Sequence, residues 1–116
     1  MASETRNILA MGLTLPHSST IISDQKDKAK ARNLELDMYE FDISASHDEI
    51  IAGMTQYLKS KKYVAISIGF GVRGNRDLTP LFEKLVNACI EHQPGAKLGF
   101  ALLPTAVVEA CERVLE

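Results

Sequence analysis

No extended run of lysine and arginine occurs in this sequence, and the formal net charge is −2. Binding to a phosphate backbone rests on a basic footprint, so nucleic acid is not an expected partner. No apolar run approaches the roughly 20 residues that a membrane-spanning helix needs, so no membrane is expected either. The first residues, Met1 to Arg6, lack the basic start and apolar stretch of a secretory signal. Cysteine occurs only at Cys89 and Cys111, each among apolar neighbours on a predicted helix and never as Cys-x-x-Cys. Such residues read as buried free thiols, which behave as small hydrophobes, and the expected location is the cytoplasm. His17, His47 and His92 are too scattered to suggest a metal site.

Familiar catalytic signatures are missing as well. There is no G-x-S-x-G nucleophile elbow. The segment from Thr14 to Thr20 has no cysteine for a phosphatase-type loop. Gly69-Phe70-Gly71 stands where a response regulator would carry its acceptor aspartate.

What is present is the composition of an ordinary globular chain, 46% hydrophobic and 24% charged over 116 residues, which fits one domain spanning 1–116. Strand-like and helical segments alternate. Ile8 to Leu15 is apolar throughout, and Tyr63 to Ile68 is an unbroken apolar run of the kind buried on both faces. Leu34 to Phe41 alternates Leu34, Leu36 and Met38 with Glu35 and Asp37, the period-2 pattern of an edge strand. Ala96 to Leu103 is the last strand. Helices are expected over Ser19–Asn33, from a capping box at Ser46 and Glu49, over Asp77–Glu91 and from Thr105 onward. The stretch Asp24 to Lys28 in the first helix reads as a solvated face. This alternation predicts an α/β fold: a small doubly wound three-layer sandwich with a four-stranded parallel sheet of order 2-1-3-4, flavodoxin-like or Rossmann-like. In such sheets the ligand crevice opens beyond the carboxyl ends of the strands where the order reverses, here between strands 1 and 3.

The stretch Tyr63 to Pro80 lands on that crevice. Gly69, Gly71 and Gly74 are interleaved with Arg73 and Arg76 before a helix begins. A strand, a glycine-rich turn and a helix start can turn backbone N–H groups toward an anion, and arginine can grip a phosphate or carboxylate bidentately. Asn75 could cap the turn or donate to a ligand. The bland alternative is a turn whose glycines supply positive φ. Gly69-Phe70-Gly71-Val72-Arg73-Gly74 also matches G-x-G-x-x-G, but it follows the third strand and no carboxylate ends the fourth, which argues against NAD and FAD as cofactors. Across the crevice, His17 is the candidate proton-transfer group. Ser18 and Ser19 could offer hydroxyls to a phosphate or cap the helix, but the segment lacks the glycine of a flavodoxin phosphate loop, which argues against FMN.

Residues 64–100 resemble a group of small bacterial and fungal α/β proteins that carry an Ile-Gly-x-Gly-x-Arg turn followed by Leu-Phe-Glu and an Asn-containing helix. The matching positions are Gly69, Gly71, Arg73, Leu81, Phe82, Glu83 and Asn87. Strand 4 ends Phe100-Ala101 where that group has Phe-Asn. The resemblance implies the fold and no activity. Two functions are therefore expected in competition. The first is binding of a small anionic metabolite by Gly69, Gly71, Arg73, Gly74, Asn75, Arg76, Ser18 and Ser19, with His17 for acid–base catalysis. The second is a non-catalytic interaction or scaffold module. A homodimer is expected under either, because short doubly wound sheets leave edges exposed.

Overall fold

The computed structural model describes residues 5–116; the segment read above for a signal lies, up to Glu4, outside the described residues. The elements are β1 (Arg6–Leu13), α1 (Ser18–Ala31), β2 (Leu34–Phe41), α2 (His47–Ser60), β3 (Ala65–Gly69), α3 (Phe70–Arg73), α4 (Thr79–His92), β4 (Lys97–Ala101) and α5 (Val107–Leu115). Short 3-10 turns at Arg76–Leu78 and Pro104–Ala106 lead into α4 and α5. The four strands form one parallel sheet of order β2-β1-β3-β4, as the alternation predicts.

Side chains alternate across the sheet and sort the core into two layers. Leu9, Met11, Ile66 and Ile68 face α2 and α4, where they meet Ile50, Met54, Leu81 and Leu85. Ile8, Ala10, Ala65 and Ala101 face α1 and α5, where they meet Ala29, Val108 and Cys111. The α5 layer is thin because Gly99 lets the helix backbone close in: a Cβ built there would come 2.7 Å from the Ala110 carbonyl oxygen.

Local signals explain most boundaries. Ser46 Oγ accepts from the Glu49 N–H at 3.2 Å, the first half of the expected capping box. Pro80 sits in the first turn of α4, where its missing N–H costs nothing. β1 begins two residues earlier than its apolar run, because Arg6 and Asn7 continue the ladder opposite Leu34 and Glu35. β4 is shorter than its apolar run: Leu102 and Leu103 leave the sheet and are exposed.

The glycine segment is not the turn of positive-φ glycines that its spacing suggests. β3 runs on to Gly69, one helical turn follows, and no glycine among the described residues has positive φ. Gly74 is right-handed, with φ −82°, and its role is closeness: a Cβ there would lie 2.9 Å from the Phe70 carbonyl oxygen and 2.6 Å from its ring. The left-handed positions fall instead on His17 (φ 62°) and Asn33 (φ 61°), at the start and just past the end of α1.

Candidate functional site

The crevice beyond β1 and β3 is occupied by a cavity of about 260 Å³ on the α1/α5 side of the sheet. Its floor is a pair of residues without side chains. Gly12, the last residue but one of β1, lies beside Gly69, which ends β3, so a Cβ on Gly69 would lie 3.7 Å from the Gly12 Cα. Neither position is sterically tight toward the cavity: nothing lies nearer than 4.0 Å to a Cβ on Gly12. Glycine inside a strand leaves a gap that other chemistry can fill, and here two such gaps adjoin.

The walls are Ile21 and Ile22 of α1 and Val107 of α5. Four large apolar side chains stand around the mouth with much of their surface in water: Leu102 (65%), Leu103 (61%), Phe70 (49%) and Leu15 (40%). Among the described residues only two polar side chains line the space, Ser18 at the start of α1 and Glu40 near the end of β2. Glu40 pairs with Gly12 in the β1–β2 register, so its side chain projects from the strand beside the glycine floor. A largely apolar concavity with a few placed polar groups, at the point where strand order reverses, is the usual form of a small-molecule site in this architecture.

The structure gathers some of the sequence candidates here and disperses the others. Gly69, Gly71 and Ser18 line the cavity; His17, Ser19, Arg73, Gly74, Asn75 and Arg76 do not. His17 occupies the cap position of α1 with an exposed ring and no side-chain capping bond. Asn75 caps the turn before α4, its Oδ1 accepting from the Asp77 N–H at 2.9 Å. Arg76 is exposed on that turn. Arg73 folds over two aromatic rings, its guanidinium carbon 5.0 Å from the Phe70 centroid and 5.7 Å from that of Phe100. Such stacking holds a guanidinium through the ring quadrupole, and among the described residues the buried Nε of Arg73 has no hydrogen-bond partner.

The roof is fixed from a distance. Gln25, buried in the middle of α1, donates from Nε2 to the Thr105 carbonyl at 2.9 Å, and its Oε1 accepts from the Val108 N–H at 3.4 Å. Around it, Lys28 pairs with Glu109 at 2.7 Å and Arg32 with Glu112. The Lys28 hydrogen bond holds the Glu109 carboxyl below the usual carboxylate range. These contacts set the separation of α1 and α5, and with it the width of the cavity. Cys89 and Cys111 lie in the two core layers, and burial pushes both thiols up to about 12. Neither lines the cavity.

The cavity lies where the strand order reverses, and its apolar lining left few marks in the sequence. The available signals were Gly12 inside an apolar strand and the Leu102-Leu103 pair after the sheet. The contribution of Glu40 had no signal, because it follows only from the β1–β2 register. No protein-family model matches the chain, and no curated protein matches it.

Proposed function

We propose that this chain binds a small organic molecule in the crevice between β1 and β3, with the apolar part of the ligand resting on Gly12 and Gly69. The observation that carries this reading is the cavity of about 260 Å³ whose walls are apolar and whose floor lacks side chains. Filling such a space removes apolar surface from water, which contributes roughly 25 cal/mol per Å². The phosphate- or carboxylate-bearing metabolite expected from the sequence fits this lining poorly. Charge brought against apolar walls loses its hydration unless an opposite charge meets it, and Arg73 and Arg76 lie outside the lining. The binding reading needs no catalytic step from His17.

The test is an amide NMR titration with cyclohexylmethanol, a neutral probe of suitable bulk, on wild type and Gly12→Val. The added side chain occupies the floor in a backbone conformation that valine adopts readily. Shifts centred on Gly12, Gly69 and Ile22 that vanish in Gly12→Val are the expected result; equal responses from both proteins would sink the reading.

A second reading, an interaction module, is favoured by the exposed ring of Leu15, Phe70, Leu102 and Leu103 around the same mouth. Contiguous exposed apolar surface marks contact sites for other macromolecules, and a second copy of the chain is the partner this reading supplies. Light scattering on wild type and Leu102→Lys/Leu103→Lys separates the two: a dimer lost in the double variant supports it, and a monomer throughout removes it.

A further inference from the structure

We infer that the ligand of this cavity carries an ammonium group, held by Glu40, on a compact apolar body. This rests on the binding reading above and adds the chemistry of the ligand's polar end. Among the described residues Glu40 is the only charged side chain lining the space. The same strand shows what a satisfied carboxylate looks like in this protein. Asp37, on the opposite face of β2, pairs with Lys61 at 3.2 Å and accepts from the Tyr63 hydroxyl at 2.7 Å. Among the described residues Glu40 has no ion pair, although it is half-buried. A half-buried carboxylate beside apolar walls gains from a cation that brings its own apolar body.

The competing charge is the start of α1, which shares the cavity through Ser18. A helix N-terminus carries about half an elementary positive charge, and its effect fades within the first turn. Part of that potential is already used, since the Ser18 N–H donates to the Leu15 carbonyl and the Thr20 N–H to the His17 carbonyl. At the start of α5 the Val108 N–H donates to Gln25 Oε1. A full negative charge on Glu40 outweighs what remains, so the polar end of the cavity favours a cation. Ser18, on the same lining, is a second polar side chain that can accept from the ligand.

The test compares three probes with one apolar body: cyclohexylmethylamine, cyclohexylmethanol and cyclohexanecarboxylic acid at neutral pH. Each is titrated by amide NMR against wild type, Glu40→Gln and Gly12→Val. Wild type is expected to bind the amine about tenfold tighter than the alcohol, the size of one charge-assisted hydrogen bond at a half-exposed site, and the acid more weakly than the alcohol. Glu40→Gln should erase the amine's advantage over the alcohol, while Gly12→Val should weaken all three. An acid that binds wild type tighter than the alcohol, or an amine advantage that survives in Glu40→Gln, overturns the ammonium assignment and leaves the cavity reading standing. If the alcohol fails to distinguish wild type from Gly12→Val, the cavity reading itself falls.

Discussion

Gln25 and Thr105 stand 80 residues apart in sequence and are joined by a hydrogen bond of 2.9 Å, from the buried Nε2 to a backbone carbonyl. The same amide also accepts from the Val108 N–H, so one side chain serves a carbonyl and an N–H at the start of α5. Replacing it with an apolar residue takes the partner from the Val108 N–H and leaves the Thr105 carbonyl only the longer contact from Lys28 at 3.4 Å, and an unmet buried polar group costs about 1–3 kcal/mol. Gln25→Leu is expected to lose about that much in urea unfolding. Glu is the sharper probe, since it keeps the acceptor for Val108 and loses the donor for Thr105. A Gln25→Leu protein as stable as wild type would show that the amide does not hold the roof.

The ion pairs beside it predict an acid-sensitive clamp. The Glu109 carboxyl is held below its usual value chiefly by the Lys28 hydrogen bond. A carboxylate whose folded value is depressed adds stability above its unfolded value and loses it as pH falls through the folded value. The pair is partly exposed, 32% and 42% at the two side chains, so its contribution is on the order of 0.2–1 kcal/mol. The stability gap between wild type and Glu109→Gln should therefore be present at neutral pH and close in acid. A gap independent of pH would exclude the ion pair as its source.

The topology was legible because each layer left its mark in the pattern. β2 shows one wet face, β3 none, and the helical segments between them force parallel crossovers. The first helix looked weakest, since Asp24 to Lys28 resembles a solvated stretch. Gln25 in fact lies buried within it, and Lys28 is engaged by Glu109 and Thr105. Hydrophobic periodicity cannot reveal a helix held by polar contacts to a segment so distant. The glycine loop is equally hard to read from spacing. Glycine spacing suggests a cradle, whereas here Gly74 admits the Phe70 ring and Gly69 with Gly12 leaves a hollow. Leu102 and Leu103 extend an apolar run that looks like strand, and only the length of β3 decides where pairing stops.

The glycines should respond in opposite ways to an added methyl group. At Gly99 the new Cβ would lie 2.7 Å from the Ala110 carbonyl oxygen and 3.2 Å from its carbon, both backbone atoms of α5. The helix would have to move, and overpacking of that kind costs about 1–3 kcal/mol. At Gly12 the nearest atom is 4.0 Å away, and alanine relieves the backbone entropy of glycine by roughly 0.5–1 kcal/mol. Thermal unfolding should show Gly99→Ala lowered and Gly12→Ala level or raised. Equal losses in the two would contradict the open floor.

Thiol chemistry should be silent in the folded state. Burial raises Cys89 and Cys111 to about 12, so the reactive thiolate is scarce even in mildly alkaline buffer. An aromatic disulfide reagent should label neither cysteine until guanidinium is added, and then both. Labelling of the native protein at the rate of a free thiol would mean that one of the two layers opens.

His17 gives the last test, because its backbone and its ring make separate demands. The residue caps α1 at φ 62° and ψ 21°, a left-handed conformation, and its side chain makes no capping bond. A side chain there costs roughly 1–2 kcal/mol, which glycine avoids, against about 0.5–1 kcal/mol that glycine loses in chain entropy. His17→Gly should therefore be as stable as wild type or more stable by up to roughly 1 kcal/mol. His17→Val, whose branched Cβ tolerates that region least, should be clearly destabilised. The ring is exposed and lines no part of the cavity, so probe binding to His17→Gly should match wild type. A loss of stability in His17→Gly would show that the imidazole makes a contact of its own. A loss of binding without loss of stability would instead return His17 to the site and revive a proton-transfer role at the crevice.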